Sequence, residues 1–161
     1  MHYNLALIGF GNVGQALAQI FRAKRVNLAQ QFGADFMIVA VCDLLKGSVC
    51  DPNGLDPVTL LDTVTATGKL ETIVAPHHGW DALRTIAESD ADVVVELSYT
   101  DLKTGEPALT HLRAALNAGK HVVTTNKGPI ALHYAELKKI AETKGVEIGA
   151  EGTVMSGTPS L

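Results

Sequence analysis

The sequence predicts a protein of the α/β class, in which helices cover both faces of a mainly parallel β-sheet. Short apolar runs rich in β-branched residues alternate along the chain with longer amphipathic stretches, and this alternation is typical of sheets built from β-α-β units. A glycine-rich turn directly follows the first apolar run. The chain has 161 residues, of which 47% are hydrophobic, so it is long enough for one domain with a substantial core.

The clearest predicted strand is at residues 92–97, where three valines stand in a row. Further strands are predicted at residues 3–8, 36–42, 70–74, 121–125 and 146–150. Helices are predicted where apolar residues recur at helical spacing, at residues 13–30, 57–67, 80–88 and 134–144. Another helix is expected to be capped by Thr104, to have Pro107 in its first turn and to end at Gly119. Residues 43–52 are rich in Gly, Ser, Asp and Pro, which predicts a loop.

The composition excludes several classes of partner. The formal net charge is -4 and the pI is about 5.8, so the chain lacks the basic surface that nucleic-acid backbones require. The longest apolar stretches have the length of strands, far short of the ~20 residues of a membrane helix.

The N-terminus leads into the first strand without the features of a signal peptide, which predicts a cytoplasmic protein. Cys42 and Cys50 are the only cysteines and are expected to be reduced thiols.

The first turn of the chain carries a dinucleotide-binding pattern, G-x-G-x-x-G, between a predicted strand and a predicted helix. The first glycine permits the tight turn, the second lets the backbone approach a pyrophosphate, and the third lets helix and strand pack closely. The candidate cofactor-binding residues of this turn are Gly9, Phe10, Gly11, Asn12, Val13 and Gly14. Together with the alternation of strands and helices, the pattern predicts a Rossmann-type, doubly wound fold that binds NAD or NADP.

Asp43 is the candidate for binding the adenosine ribose, because a carboxylate at the end of the second strand often accepts hydrogen bonds from it. Its distance from the glycine pattern is longer than the usual spacing of about 20 residues. A strand-end aspartate that caps the following turn is the alternative. No arginine follows to hold the 2′-phosphate of NADP, since Leu44 and Leu45 come next and only Lys46 is near; the sequence therefore favours NAD.

Asn126 and Lys127 stand at the carboxyl end of a predicted parallel strand, which is where ligands bind in open α/β sheets. A lysine at this position can be a surface charge or a phosphate contact. Beside a nicotinamide it can also hold a substrate oxygen or exchange a proton with it. Lys127 is therefore a candidate catalytic and cofactor-binding residue.

Four stretches in the same order along the chain resemble homoserine dehydrogenase. They are GFGNVG at 9–14, TDLKTGEPAL at 100–109, ALNAGKHVVTTNKGPIAL at 115–132 and EGTVMSGTP at 151–159. The first is shared by many dehydrogenases, whereas the NKGP block and the last stretch are specific to this family. The resemblance implies an NAD(P)-dependent enzyme that interconverts L-homoserine and L-aspartate 4-semialdehyde by hydride transfer, a step in threonine and methionine biosynthesis.

The resemblance also implies roles for single residues. Lys127 matches a lysine at the nicotinamide and the active site of the family. Ser98 matches a stretch along the nicotinamide half of the cofactor, and Thr100 is expected to join it. For Ser98, capping of the strand end is the alternative.

The last stretch matches a family loop that can hold a monovalent cation such as sodium. Its candidate ligands are Glu151 and the backbone carbonyls of Val154, Ser156 and Thr158. One carboxylate and several carbonyls suit a hard cation, and an ordinary hinge loop is the alternative.

Residues 1–150 are expected to be the dinucleotide-binding domain, and residues 151–161 the start of the connection to a further domain. In the family, the carboxylates that bind the amino-acid substrate, and much of the interface of the homo-oligomer, come from that further domain. The chain is therefore expected to be a truncated form that binds cofactor with little turnover of its own. A stand-alone NAD(P)-binding or redox-sensing module and a related amino-acid dehydrogenase are the alternatives. The pair His77-His78 lacks convergent partners for a metal and is expected in a solvent-facing loop.

Overall fold

The computed structural model describes residues 1–157, which form a seven-stranded sheet and five α-helices. The strands are β1 (His2–Ile8), β2 (Asp35–Asp43), β3 (Gly47–Cys50), β4 (His77–His78), β5 (Val93–Glu96), β6 (His121–Thr124) and β7 (Ile148–Gly149). The helices are α1 (Asn12–Phe32), α2 (Pro57–Thr67), α3 (Ala82–Glu88), α4 (Ala108–Asn117) and α5 (Lys127–Lys144). Two 3-10 turns follow at Glu151–Thr153 and Met155–Gly157.

The strand order in the sheet is β4-β3-β2-β1-β5-β6-β7. The five strands from β2 to β7 in this order pair in parallel, whereas β3 and β4 add an antiparallel edge beside β2. The chain leaves β1 toward β2 and later returns to the other side of β1 at β5. The carboxyl ends of β1 and β5 therefore flank the point where the strand order reverses, which is where open α/β sheets form a ligand crevice.

Alternating residues of β1 divide the core into two layers, as a strand with period 2 requires. Leu5 and Leu7 pack on one face of the sheet, against α1 and α2. Ala6 and Ile8 pack on the other face, against α3, α4 and α5. Helices thus cover both faces of a mainly parallel sheet, and the predicted doubly wound fold is confirmed.

The prediction of a loop at residues 43–52 is wrong for its second half. Gly47–Cys50 forms β3, which runs antiparallel to β2 after a tight turn. Gly47 has φ +82° in that turn, a conformation that glycine adopts without strain. The strand was not predicted because it is only four residues long and lies in a segment rich in glycine and aspartate.

The strand predicted at residues 70–74 is also absent from the described structure, which has a turn there. Leu70 and Ile73 are both buried, whereas Val74 is almost fully exposed. The backbone N–H of Ile73 donates to the carbonyl of Leu70, so the buried residues are spaced for a turn and do not alternate as in a strand.

Two helix starts differ from the prediction. Helix α4 begins at Ala108 without a side-chain cap, and the hydroxyl of Thr104 binds Asp101 and the N–H of Glu106 instead. Helix α5 begins at Lys127, seven residues before the predicted start at residue 134, because Pro129 lies in its first turn, where the missing N–H of proline costs no helical hydrogen bond. It bends at His133, whose backbone angles are not helical.

Within residues 1–157, none of the helices combines the length and the apolar character that crossing a membrane demands. In the described part of the chain, Cys42 and Cys50 are buried free thiols.

Candidate functional site

A tight turn at Gly9 joins β1 to α1. Gly9 has φ +105°, and a Cβ added to it would lie 2.6 Å from the carbonyl carbon of Leu97, so a side chain does not fit. Its N–H donates to the carbonyl of Cys42 at 2.7 Å. The turn is therefore packed directly against the carboxyl ends of β2 and β5.

Gly11 is the N-cap of α1, and it lies beside open space. Apart from Gly11 itself and its two chain neighbours, no atom of the described residues lies within 4 Å of the position that a Cβ on Gly11 would occupy, and no side chain among them caps the helix. The first-turn N–H groups are thus free to bind an anion at the positive end of the helix dipole. Gly14 closes the turn, because a Cβ there would lie 2.6 Å from the carbonyl oxygen of Gly9.

The three other residues of the glycine pattern differ in exposure. Asn12 and Val13 are exposed on the first turn of α1. The side chain of Phe10 is fully buried, at 0% exposure, so only its backbone can face a ligand.

Asp43 ends β2 beside the glycine turn. One of its carboxylate oxygens accepts a hydrogen bond from the N–H of Phe10 at 2.8 Å, and the other accepts from the N–H groups of Leu45 and Lys46, each at 3.0 Å. Burial raises the pKa of Asp43, but these three donors and the charge of Lys46 outweigh it, so that the pKa lies below its ordinary value. The alternative of turn capping is thus present in the structure, while binding of a ribose stays a prediction.

A buried carboxylate, Glu96, lies at the carboxyl end of β5 and was not among the sequence candidates. It is 0% exposed. It accepts hydrogen bonds from the Ser98 hydroxyl and from the Asn126 amide, and His111 Nδ1 of α4 lies 3.1 Å from it. The signal for Glu96 was a carboxylate that directly ends the apolar run of β5.

Thr100 lies in the loop between β5 and α4. Its hydroxyl donates to the carbonyl of Gly105 at 3.0 Å, and it lies 3.3 Å from where a Cβ on Gly128 would be. The loop is held further by Asp101, whose carboxylate accepts from Lys103 and Thr104. Thr100 therefore lies against the first turn of α5.

Lys127 is the first residue of α5 and is exposed. Among the described residues it has no ion pair within 4.0 Å, in contrast to Lys138 further along the helix. Asn126, the N-cap before it, is fixed by its amide, which donates to the carbonyl of Ser98 at 2.8 Å. The backbone before Lys127 is therefore fixed, while no charged side chain of the described residues pairs with its ammonium group.

These contacts bring most of the sequence candidates to one edge of the sheet. Four of them lie at or just after the carboxyl ends of β1, β2, β5 and β6 in turn: Gly9, Asp43, Ser98 and Lys127. The 3-10 turn after β7 joins the same edge, since a Cβ on Gly152 would lie 2.9 Å from Thr125 Cγ2.

The candidate cation ligands are placed only in part. Glu151 begins the first 3-10 turn, and its backbone carbonyl accepts the N–H of Val154. Ser156 has a left-handed backbone, with φ +58°, and Thr158 lies outside the described residues. Among residues 1–157, no three or more His, Cys, Asp and Glu side chains gather as in a metal site. His77 stacks on Trp80 at the exposed edge strand β4.

The model of the family described as "Homoserine dehydrogenase, NAD binding domain" matches residues 9–151. The chain belongs to the homoserine dehydrogenase family. The match spans the glycine turn, Asp43, the Glu96 cluster, Lys127 and Glu151, and the resemblance to homoserine dehydrogenase is thereby confirmed.

Curated homoserine dehydrogenases match along almost the whole chain. The NAD(+)-dependent homoserine dehydrogenase of Pseudomonas canavaninivorans is 45% identical over an alignment of 161 residues that covers 99% of this chain and 45% of that protein. The homoserine dehydrogenase of Methanocaldococcus jannaschii is 35% identical over 158 residues, with shares of 98% and 46%. The chain therefore spans slightly less than half the length of these relatives.

Solved homoserine dehydrogenases share the fold. A hyperthermophilic archaeal homoserine dehydrogenase in complex with NADPH superposes with a TM-score of 0.82 at 29% identity, covering 99% of this chain and 47% of that one. The homoserine dehydrogenase of S. aureus gives a TM-score of 0.65 at 26% identity, covering 95% and 33%. The Rossmann-type architecture thus extends across the family.

Proposed function

We propose that this chain binds NAD or NADP as the nucleotide-binding part of a homoserine dehydrogenase. The observation that carries the proposal is the open, uncapped N-terminus of α1 at Gly11, next to a turn at Gly9 where no side chain fits. Free N–H groups at the positive end of a helix suit a pyrophosphate. The family match gives independent support.

We propose a position in the crevice between β1 and β5 for each half of the dinucleotide. The pyrophosphate lies over Gly11 to Gly14, and the adenosine ribose lies toward Asp43 at the end of β2. The nicotinamide half then falls on the other side of the crevice, between Ser98 and Lys127, with Thr100 close to the same loop. This placement follows from the rule that dinucleotides span the point where the strand order reverses.

For the whole enzyme we propose the interconversion of L-homoserine and L-aspartate 4-semialdehyde. The nicotinamide, when bound, supplies or accepts the hydride. Lys127 holds the reacting oxygen of the substrate and can exchange a proton with it. Its position at the N-terminus of α5 adds the helix dipole, which stabilises negative charge developing on that oxygen.

We propose that the chain prefers NAD to NADP. The pKa of Asp43 is lowered, so the group is a carboxylate at neutral pH and repels the 2′-phosphate of NADP. Leu44 and Leu45 supply no compensating charge, and Lys46 lies 3.7 Å from Asp43 and partly neutralises it. One relative is named NAD(+)-dependent and another is a complex with NADPH. Because the relatives differ in cofactor, the proposed preference rests on the residues of this chain.

Four finer assignments stay predictions. They are a small amino-acid substrate, a homo-oligomeric whole enzyme, a cytoplasmic location, and a sodium ion at the segment that begins with Glu151. A carboxylate and backbone carbonyls are the ligands that a hard cation takes. Thermal unfolding of the chain in NaCl and in choline chloride at equal ionic strength tests the sodium site. Equal unfolding temperatures in the two salts would contradict the sodium assignment.

Calorimetric titration of the 161-residue chain with NAD and with NADP tests the proposed function, alongside an assay of aspartate-semialdehyde reduction. We expect tighter binding of NAD and little turnover, because the chain spans less than half the length of its relatives. The absence of binding by either dinucleotide would refute the proposal. Efficient turnover would refute the expected need for residues outside this chain.

A further inference from the structure

Glu96 connects three separate elements through one buried carboxylate. Its Oε1 accepts from the hydroxyl and the N–H of Ser98, in the loop after β5. Its Oε2 accepts from the side-chain amide of Asn126, the N-cap of α5. His111 reaches the same carboxylate from α4 at 3.1 Å. Burying a carboxylate costs free energy, because the charge loses its contact with water, and hydrogen-bond donors around the carboxylate offset this cost.

The bonds around Glu96 continue into a clamp between the two loops that follow β5 and β6. The Asn126 amide also donates to the carbonyl of Ser98 at 2.8 Å. The N–H of Asn126 donates to the Thr124 hydroxyl at 3.0 Å, and that hydroxyl lies 3.3 Å from the carbonyl oxygen of Glu96. Each loop is thus fixed relative to the other through the end of β5.

The two clamped loops carry Ser98 and Lys127, which the proposed function places along the nicotinamide half of the cofactor. The adenosine half lies on the opposite side of the crevice, near Asp43, which has no bond to this cluster. Disturbing Glu96 therefore acts on one half of a bound dinucleotide and leaves the other half in place.

We infer that Glu96 is a positioning residue for the nicotinamide: it fixes Ser98 and Asn126 so that the loops after β5 and β6 hold that ring. The inference rests on the proposed function. Glu96 itself is fully buried and acts through the two loops. A carboxylate that only stabilised the fold would affect all ligands of the crevice equally.

Comparison of NADH with ADP-ribose separates these two roles, because ADP-ribose contains everything in the cofactor except the nicotinamide. Both are titrated calorimetrically into the 161-residue chain and into Glu96→Gln. Glutamine keeps the size of the side chain, but its amide cannot accept from both Ser98 and Asn126. We expect the affinity for NADH to fall about tenfold and that for ADP-ribose to change less than about twofold.

Asn126→Ser is the second variant, and it decides the question if Glu96→Gln does not fold. It removes the amide that binds Oε2 of Glu96, while serine remains a good N-cap for α5. The same selective loss of NADH affinity is expected.

Asp92→Asn is the matched control, at the opposite end of the same strand region. Asp92 accepts the N–H of Asn4 at 2.8 Å and lies far from the crevice along β5. We expect neither affinity to change. A selective loss of NADH affinity in this control would overturn the inference, since any disturbance of β5 would then have the same effect.

Equal losses for NADH and ADP-ribose in Glu96→Gln, or no loss for either, would also overturn the inference. If the unaltered chain binds both ligands with the same affinity, the nicotinamide makes no contact to position, and the inference fails while dinucleotide binding stands. If the unaltered chain binds neither ligand, the proposed function fails, and the inference fails with it.

Discussion

The carboxylate of Asp43 accepts a hydrogen bond from the backbone N–H of Phe10 at 2.8 Å, so the end of β2 holds the turn that follows β1. The same carboxylate accepts from Leu45 and Lys46 and thereby shapes the turn into β3. A carboxylate has about four acceptor positions, and three are in use. Asp43 therefore orders both sides of this end of the crevice and keeps one acceptor position, which the proposed ribose hydroxyl would use.

Asp43→Asn is expected to lower the free energy of unfolding by about 1–2 kcal/mol at pH 7, because an amide cannot accept from all three donors. The folded-state pKa of Asp43 is lowered, so its stabilising effect is present above the unfolded value of about 3.9 and is lost as the pH falls through the folded value. Urea unfolding of both proteins between pH 7 and pH 3 measures this effect.

The difference in stability between the two proteins should hence be largest near neutral pH and shrink in acid. Asp62→Asn, on the exposed side of α2, is the control and should change stability by less than about 0.5 kcal/mol. A difference that stays constant down to pH 3 would contradict the role of the Asp43 charge.

Gly9→Ala and Gly11→Ala form a matched pair that separates folding from binding. A Cβ at position 9 would lie 2.6 Å from backbone atoms, and the alanine would have to adopt φ +105°. We therefore expect Gly9→Ala to lower the free energy of unfolding by about 3 kcal/mol or more. The Cβ at Gly11 meets no atom of the described residues beyond its chain neighbours within 4 Å, so the cost of Gly11→Ala should not exceed about 1 kcal/mol.

For Gly11→Ala the affinity for NAD should nevertheless fall at least about tenfold, because the new methyl group would occupy the space proposed for the pyrophosphate. Urea unfolding and calorimetry give the two quantities for each variant. Unchanged NAD affinity in a stable Gly11→Ala protein would place the pyrophosphate elsewhere.

Lys127→Ala should leave the fold intact, since Lys127 is exposed and a positive charge at a helix N-terminus is unfavourable. In a whole homoserine dehydrogenase that contains this domain, kcat should fall at least about 100-fold, because the reacting oxygen of the substrate would lose its proposed partner for proton exchange. Lys138→Ala, on the exposed side of the same helix, is the control and should retain its turnover. Comparable kcat values for the two variants would show that Lys127 has no catalytic role.

Local sequence patterns predicted the edge of the site but not the connections beneath it. Gly9, Asp43 and Lys127 could be assigned because each follows a predicted strand, and the ends of parallel strands meet at one edge. Glu96 could not, because its role depends on His111 and Asn126, which are 15 and 30 residues away along the chain. Strand β3 was missed for a similar reason, since the turn before it is held by the Asp43 side chain and not by a characteristic pair of turn residues.

Leu44→Arg should move the cofactor preference toward NADP. Leu44 directly follows Asp43 and is 98% exposed, so an arginine there meets no steric obstacle and can reach the 2′-phosphate of a dinucleotide whose ribose lies at Asp43. A guanidinium binds phosphate through two parallel hydrogen bonds. We expect the ratio of NADP to NAD affinity, measured by calorimetry at fixed salt, to rise about tenfold.

Val26→Arg, an exposed position in the second half of α1, adds the same charge away from the crevice and serves as the control. Because simple long-range attraction acts on any anion, it would raise NADP affinity in both variants and would weaken similarly in higher salt. A change confined to Leu44→Arg therefore locates the adenosine ribose at the end of β2. Equal changes in the two variants would instead leave Asp43 with turn capping as its role.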